Sequence, residues 1–460
     1  MTDTAIKEAE QTERAYEIDN TLIEAVLDAV TVGDRDKLVA LLEPFHAADI
    51  ADLYEQINTK ERMAFTALWG KDFDGEVLAE IDEGLLDEVF EGLSDEVVSE
   101  AVRELDTDDV VDLIEDLDEP QQERILGALD TSDRVAVEQA LQYPDDSAGR
   151  LMQRELVMAP DHWTVGEAID YLRREIDLPD QFYDVVMVDP RLRPVGKVPL
   201  SSLMSSTRKT KMSDIMDEEF RTIPVLQSQE DVAYAFNQYN MVSAPVVDAD
   251  NRLVGVITID DAMEVQDEHA EEDIKRLAGV GDESLINNIR STTMRRFPWL
   301  AVNLLTSIFA SMVIAQFADT IDALVALAVL MPIVASMGGN AGTQTLTVVV
   351  RAMATKDLTS ANTGRVIRRE IGVGLLNGLI FAVIIAVVGY YWYGLPLLGL
   401  VLGIAMVGNL VVAGLAGILV PIGLDKVGID PALASGAFVT TVTDIVGFFA
   451  FLGLAAVLLL

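Results

Sequence analysis

Asp444 is an acidic residue inside a long apolar stretch, FVTTVTDIVGFF, where neighbouring threonines supply hydroxyls and Gly447 allows close packing. An ionisable side chain in the hydrocarbon region of a membrane is costly, so it faces protein or water and usually marks a pathway. The apolar segments hold no Lys or Arg that could pair with Asp444, which favours a cation as its partner. The alternative is a protonated Asp444 that hydrogen-bonds to a neighbouring helix.

Asp430 stands fourteen residues before Asp444, in the sequence GIDPALAS. An Asp followed by Pro431 is typical of a helix start, and capping alone would explain it. In a continuous helix, fourteen steps of 1.5 Å cover about 21 Å, the distance from a membrane surface to its middle. Two carboxylates along one route suit a hard cation that prefers oxygen ligands.

The stretch PIVASMGGNAGTQT concentrates small and polar residues within an apolar segment. Gly338, Gly339 and Gly342 permit close helix contact or irregular backbone, while Asn340 and Gln344 offer oxygens. Glycines alone would indicate helix packing. The amides in the same stretch favour a pore lining, to which Thr441 of the later segment also contributes.

Five apolar segments reach the roughly 20 residues needed to cross a bilayer. The loops that hold Lys and Arg all fall on the side of residues 1–290, and the first loop on the other side carries Asp319 and Asp322. The positive-inside rule therefore predicts a multi-pass protein of the inner or plasma membrane, in contact with lipid, whose residues 1–290 are cytoplasmic. The predicted spans are 298–318, 321–345, 371–393, 395–422 and 432–458.

Residues 1–290 carry 25 Lys and Arg against 69 Asp and Glu, whereas the remainder is nearly neutral. Such an excess of negative charge repels nucleic acid and favours cations as partners. The alternative is the solvated acidic surface of a halophile's protein. The apolar segments lack His and Cys and hold one deep Asp, too few groups for acid-base or metal-dependent chemistry, so we expect no enzyme.

Two kinds of internal repeat organise the acidic part. Apolar residues recur at a spacing of 12 from Phe45 to Leu141, each followed by a capping residue and a short amphipathic run, which predicts a stacked superhelix of short helices. An irregular helical bundle is the alternative. From residue 146, LMQRELVMAP parallels IMDEEFRTIP, and MVDPRLRPVGKV parallels VVDADNRLVGVI. This stretch resembles a tandem pair of CBS domains, which pair face to face and often bind adenine nucleotides or metal ions.

Four long segments carry a resemblance that spans nearly the whole chain: YPDDSAGRLM, APVVDADNRLVGVITIDD, PIVASMGGNAGTQTLTVVVRAMAT and GIDPALASGAFVTTVTDIVGFF. Their order resembles the MgtE family of magnesium channels. The resemblance implies a homodimer with its pore on the two-fold axis, lined by the second and fifth spans. Asp444 matches the family's selectivity acid, and Asp430 matches the acid at the cytoplasmic end of the pore.

The resemblance also implies regulation by Mg²⁺, which would bridge acidic faces and hold a connecting helix over a closed pore. By motif match, the bridging ligands are Asp261, Glu272, Asp273, Asp108 and Asp112, although each alone could be a solvated surface acid. The turn at Thr258 and Asp260 resembles the CBS feature that holds a nucleotide ribose, and family members can bind ATP there.

The predicted fold is therefore multidomain, with an all-α superhelical N-terminal domain, an α/β tandem CBS pair, a connecting helix and an all-α membrane domain of five transmembrane helices. Its predicted boundaries are 1–142, 143–262, 263–297 and 298–460. The predicted function is Mg²⁺ uptake through a selective channel that cytosolic Mg²⁺ closes. A carrier of another divalent cation such as Co²⁺ or Mn²⁺, with the CBS pair as nucleotide sensor, is the alternative.

Overall fold

The computed structural model describes residues 18–115, 117–174, 178–179, 181–280 and 289–460. Residues 1–17 of the predicted helical domain and 281–288 of the predicted connecting segment lie outside the described residues. The chain divides into two compact units, 1–267 and 268–460. The first unit begins with α1 (Asn20–Val32), α2 (Arg35–Leu42), α3 (Ala47–Gln56), α4 (Thr59–Trp69), a 3₁₀ turn (Gly70–Asp72), α5 (Glu76–Glu80), α6 (Glu83–Gly92), α7 (Asp95–Glu104), α8 (Thr107–Glu115), α9 (Glu119–Ala128) and α10 (Thr131–Ala140).

The apolar residues spaced by 12 lie where one short helix ends and the next begins. Ile57, Leu93 and Leu105 are the C-cap residues of α3, α6 and α7, each with extended backbone. The residue that follows then caps the next helix: the side chains of Asn58 and Ser94 accept hydrogen bonds from backbone N–H groups of its first turn. The prediction of repeated short helices is confirmed.

The second part of this unit holds two small sheets with the same topology, in the orders β1-β2-β3 and β4-β5-β6. In each sheet the first pair of strands is parallel, the second pair is antiparallel, and a bulge interrupts the middle strand, between Met187 and Val188 or between Val246 and Val247. The predicted duplication is confirmed. Its elements are α11 (Ala148–Leu151), β1 (Met158–Pro160), α12 (Val165–Leu172), β2 (Asp184–Val188), β3 (Pro194–Pro199), α13 (Leu200–Ser205), a 3₁₀ turn (Met212–Asp214), β4 (Ile223–Pro224), α14 (Gln229–Tyr239), β5 (Ser243–Val247) and β6 (Leu253–Thr258).

The two copies complete one another. The segment leading into each copy crosses to the last strand of the other: Met152 covers Gly255, and Met216 covers Gly196. A Cβ on Gly255 would lie 2.7 Å from Met152 Sδ, and one on Gly196 would lie 2.8 Å from Met216 Sδ. Glycine is required at both places because another chain segment passes directly over the strand.

Helix α15 (Ile259–Ala278) follows β6 and carries the first part of the predicted connecting segment. Beyond it, the described residues include five helices that are long and apolar enough to cross a membrane. The second span begins later than predicted and extends further, because residues 318–323 form a separate short helix and the apolar pattern says little about where a helix leaves the bilayer. These elements are α16 (Ile289–Ala315), α17 (Ala318–Ala323), α18 (Ala326–Ala354), α19 (Thr363–Tyr393), α20 (Pro396–Lys426) and α21 (Pro431–Leu458).

Helix α20 is the centre of the second unit and packs against α18, α19 and α21. Glycines make this packing close: a Cβ on Gly374 of α19 would lie 2.7 Å from the carbonyl oxygen of Leu410, and one on Gly417 would lie 2.7 Å from that of Gly342. Small residues at helix contacts are typical of membrane proteins, where backbone proximity and dispersion replace the hydrophobic effect.

Candidate ion-binding sites

Asp444 lies near the middle of α21 with its side chain half-buried. The hydroxyls of Thr440 and Thr441 donate to carbonyls one turn earlier in the same helix, at 3.0 Å and 2.5 Å. Their lone pairs therefore remain available to accept. Among the described residues, no Lys or Arg pairs with Asp444. Its carboxylate is thus open to a cation from solution.

A row of polar side chains follows the exposed side of α18. Ser336, Asn340 and Thr347 are all exposed, and their spacing keeps them on one face of the helix. Asn340 Nδ2 lies 3.5 Å from Ser336 Oγ, to which it donates. Gly339, beside this row, faces α21, since a Cβ on it would lie 3.7 Å from Thr440 Cγ2. The polar row therefore adjoins the side of α21 that carries Thr440.

Gly338 and Gly342 do not belong to this exposed row. Both are buried, and a Cβ on Gly338 would lie 2.2 Å from Asn409 Nδ2, while one on Gly342 would lie 2.5 Å from Val439 Cγ1. Their missing side chains let α18 approach α20 and α21, so helix packing accounts for both glycines, and their place in a pore lining stays a prediction. Gly339, Asn340 and Thr441 remain predicted pore-lining residues.

Asp430 has two partners. Its Oδ1 accepts from the backbone N–H of Ala432 at 2.7 Å, so it caps α21 as the Asp-Pro pair predicts. Its Oδ2 accepts from Arg276 Nη1 of α15 at 2.8 Å. Both side chains are about one-third exposed. Asp430 therefore combines a structural role with an ion pair that the sequence does not reveal.

Asp430 and Asp444 lie on nearly the same side of α21. Fourteen residues are close to four turns of 3.6 residues, and the helix is continuous from Pro431 to Leu458. The two carboxylates are therefore arranged along one face, about 21 Å apart along the axis. The sequence-based expectation of two acids along one route agrees with this helix geometry.

The acids Asp108, Asp109 and Asp261 form a cluster in the first unit, where the start of α8 meets the start of α15. Burial raises the pKa of Asp108 well above its ordinary value, and the charge of Asp261 adds to that effect. Burial likewise raises the pKa of Asp109 to about 7, with Asp106 and Asp261 contributing. The pKa of Asp112, one turn further along α8, is also raised by burial. The structure thus brings Asp108 and Asp261, two of the five predicted regulatory acids, together, and Asp112 follows on the same helix as Asp108.

Asp261 is held by the turn that precedes α15. Thr258 donates to its Oδ2 twice, from the backbone nitrogen at 3.1 Å and from Oγ1 at 2.8 Å. Burial raises the pKa of Asp261 to about 7, because its effect exceeds that of these hydrogen bonds, which lower the pKa. Among the described residues, no three His, Cys, Asp or Glu side chains stand close enough to hold a metal ion. The cluster is therefore a set of repelling carboxylates and not a formed cage.

Glu272 and Asp273, the other two predicted regulatory ligands, lie further along α15. Glu272 Oε1 forms a salt bridge with Arg276 Nη2 at 3.1 Å, and its Oε2 lies 3.7 Å from His269 Nδ1. Glu272 therefore helps to hold the arginine that contacts Asp430. A Mg²⁺ ion at Glu272 would compete with Arg276 for the Glu272 carboxylate.

A small cleft between the two CBS sheets contains the predicted nucleotide position. Phe182, Tyr183, Asp184 and Thr258 are among its lining residues, and its volume is about 20 Å³. That volume holds a water molecule but no nucleotide, so a ligand has to widen the cleft. Asp260 accepts a hydrogen bond from Thr258 Oγ1 and does not line the cleft.

Comparison with known proteins identifies the family. Residues 331–454 match the model described as MgtE, divalent cation transporter, residues 45–146 match the MgtE intracellular N domain, and residues 212–268 match the CBS domain. The magnesium transporter MgtE of Bacillus subtilis is 30% identical over 92% of this chain and 94% of its own length. The magnesium transporter MgtE of Thermus thermophilus is 32% identical over 96% of this chain and 99% of its own length.

The chain belongs to the MgtE family of magnesium transporters. A crystal structure of the cytosolic domain of the Mg²⁺ channel MgtE in complex with ATP matches it with a TM-score of 0.50 and 29% identity, over 53% of this chain and 99% of that one. As an MgtE protein, the chain is a multi-pass membrane protein with a cytosolic N-terminal part. The predicted family, fold class and magnesium transport are thereby confirmed.

Sequence reasoning missed Arg276 and Asn409, which the structure of this MgtE chain singles out. Arg276 and Asp430 are 154 residues apart, so no local pattern links them. Asn409 did carry a signal, because it is the single amide in an apolar helix, GIAMVGNLVVAG, and a polar side chain at such a place requires a partner.

Proposed function

We propose that two copies of this chain form a channel that conducts Mg²⁺, with Asp444 as the acid that binds the ion in the pore and Asp430 at the cytoplasmic mouth. The observation that carries the proposal is the carboxylate of Asp444 in the middle of an apolar helix, with no Lys or Arg partner among the residues that the structure describes. A carboxylate at this depth is stabilised by a cation and by water. Membership of a magnesium transporter family supports Mg²⁺ as that cation.

The polar row of α18 supports a dimer. Ser336, Asn340 and Thr347 are exposed in a single copy, and polar side chains are unfavourable against lipid. A second copy related by a two-fold axis would cover the row and line a path with two such faces. Two Asp444 carboxylates would then approach one another, and their repulsion favours a divalent ion that keeps several of its waters.

The buried acids support closure of the proposed channel by cytosolic Mg²⁺. Asp108, Asp109 and Asp261 repel one another in the absence of metal, as their raised pKa values express. Mg²⁺ that binds between them, with Asp112 as a further ligand, would favour a compact state over a loose one, while Glu272 and Asp273 would bind Mg²⁺ separately on α15. The compact state is the closed one in this proposal, with α15 held near the pore mouth.

A nucleotide at the CBS pair is the second ligand we propose. The related cytosolic domain of MgtE was crystallised in complex with ATP, and Thr258 lines the cleft between the two sheets here. ATP would widen the cleft and contact Thr258, with Asp260 accepting from the ribose. Binding there would alter the same turn that holds Asp261.

Flux into sealed liposomes separates a channel from a carrier. The purified protein is reconstituted, and uptake of Mg²⁺ is recorded while a potassium diffusion potential is varied. A channel gives uptake that follows the potential without any counter-ion gradient, and excess Co²⁺ or Mn²⁺ reduces it only partly. Uptake that needs a proton or sodium gradient, or that prefers Co²⁺ or Mn²⁺ over Mg²⁺, would overturn the proposal in favour of the carrier.

A further inference from the structure

Asn409 is a fully buried amide in the middle of α20, a helix whose other buried residues are apolar apart from glycines and one proline. Its Nδ2 donates to the carbonyl oxygen of Val334 in α18 at 2.9 Å. Its Oδ1 has no hydrogen-bond partner among the described residues. A buried amide that is half unsatisfied is unfavourable, and a leucine, which has the same branched skeleton of side-chain heavy atoms, would avoid that penalty. Apolar packing alone therefore does not explain why an amide stands at this position.

Glycines flank Asn409 on two different helices. A Cβ on Gly338 of α18 would lie 2.2 Å from Asn409 Nδ2, and a Cβ on Gly447 of α21 would lie 2.7 Å from the same atom. Real Cβ atoms essentially never come that close. The side chain of Asn409 thus fills the space between α18 and α21, and only glycine fits against it on either side.

Both contacts lie at the level of the proposed ion site. Gly447 follows Asp444 by three residues, one turn along α21. Val334 and Gly338 stand on either side of Ser336 in the sequence of α18. Asn340, the next residue of the polar row, follows two residues after Gly338. One side chain therefore touches both helices that the proposed function assigns to the pore, on the side away from the exposed polar row.

We infer that Asn409 is a positioning residue for ion selectivity: it fixes the spacing of α18 and α21 through the Val334 hydrogen bond and the two glycine contacts. This inference rests on the proposed function, because it assumes that Asp444 binds the conducted ion. Discrimination between Mg²⁺ and the larger Ca²⁺ depends on how far apart the oxygen ligands are held. Loss of the amide lets α18 and α21 shift, so Ca²⁺ is accepted more readily.

A purely structural role makes a different prediction. If Asn409 only helps the helices to fold together, its replacement lowers the amount of folded protein and leaves the ratio of Mg²⁺ to Ca²⁺ flux unchanged. The ratio is therefore the readout that decides, measured per folded dimer in liposomes of identical composition.

The test compares Asn409→Leu with Asn377→Leu. Asn377 is an exposed amide on α19, a helix that the proposed function does not assign to the pore, so the same substitution there controls for the loss of a membrane amide. We expect Asn409→Leu to lower the ratio of Mg²⁺ to Ca²⁺ flux by about tenfold, and Asn377→Leu to leave it unchanged. An unchanged ratio in Asn409→Leu would overturn the inference.

A second variant keeps the test decisive if Asn409→Leu does not fold. Gly338→Ala crowds the amide, and the pair Gly338→Ala with Asn409→Ala removes that clash while losing the hydrogen bond. We expect the pair to fold and transport better than Gly338→Ala alone, yet to show the same loss of selectivity as Asn409→Leu. Normal selectivity in the pair would show that filled volume suffices, and the inference would be wrong.

The proposed function fails separately, if the wild-type protein shows no potential-driven Mg²⁺ flux.

Discussion

Arg276 and Asp430 form an ion pair in which Nη1 of the guanidinium lies 2.8 Å from Oδ2 of the carboxylate. The same guanidinium holds Glu272 Oε1 at 3.1 Å. The acid that the proposed function assigns to the cytoplasmic mouth is therefore already occupied by a cation that belongs to α15. In the proposed channel, a Mg²⁺ ion that uses Asp430 would compete with this arginine, so the pair would couple the connecting helix to the mouth of the pore.

Replacing Arg276 by Ala should weaken closure. Partly exposed ion pairs contribute up to about 1 kcal/mol, so residual Mg²⁺ flux at saturating cytosolic Mg²⁺ should rise by about two- to fivefold. The measurement is Mg²⁺ flux in patches or liposomes whose cytosolic face is exposed to graded Mg²⁺. Lys275→Ala is the matched control, because Lys275 is adjacent and pairs only with Glu271 among the salt bridges described, at 2.7 Å. Equal flux in Arg276→Ala and wild type would refute the role of this pair.

Replacing Asp430 by Ser separates its two roles. Serine is as good a helix N-cap as aspartate, so α21 should keep its stability, whereas Asp430→Ala should cost about 1 kcal/mol. Both variants lose the charge at the mouth, so both should show lower Mg²⁺ flux at low cytosolic Mg²⁺. Thermal unfolding and flux are measured on the same preparations. If Asp430→Ser transports normally and Asp430→Ala does not, Asp430 is a cap and nothing more.

The acidic cluster predicts how stability depends on pH. Burial raises the pKa of Asp109 and that of Asp261 to about 7 in the folded state. In the unfolded chain both titrate near about 3.9, so the folded state holds their protons more tightly. Their contribution to stability is therefore complete below about pH 4 and is lost as the pH rises through about 7.

Without metal, the cytosolic part of the intact protein should consequently melt at a lower temperature at about pH 8 than at about pH 5.5. Mg²⁺ binds ionised carboxylates, so it should raise the melting temperature more at the higher pH. Calorimetry of the detergent-solubilised protein measures both effects. Asp261→Asn should flatten the pH dependence, while Asp425→Asn, an exposed acid outside the cluster, should not. A melting temperature that rises with pH in the absence of metal would contradict this account.

The sequence predicted those features that depend on local patterns. Capping residues such as Asn58 and Ser94 follow directly from the spacing of 12, and the duplication of the CBS pair can be read from its repeated strands. The five spans follow from their apolar composition. Asp430 was correctly expected to cap α21, since an Asp-Pro pair determines that locally.

The sequence could not predict features that depend on which helices pack against one another. Gly338 and Gly339 are adjacent glycines in the sequence, yet Gly338 faces Asn409 and Gly339 faces Thr440. Only the packing of α20 against α18 decides which of them is buried. The pair of Arg276 and Asp430 depends in the same way on where α15 ends, and the sequence contains no signal for that contact.

The most direct test of the central claim is Mg²⁺ flux through Asp444→Asn in liposomes under an imposed membrane potential. Asparagine keeps the shape of the side chain and removes the charge that the proposed channel uses to bind the ion. Asp425→Asn, an exposed acid before the same helix, serves as the control. We predict that flux through Asp444→Asn falls to the level of empty liposomes while the protein remains folded, and that Asp425→Asn transports like wild type. Normal potential-driven Mg²⁺ flux through folded Asp444→Asn would contradict the account.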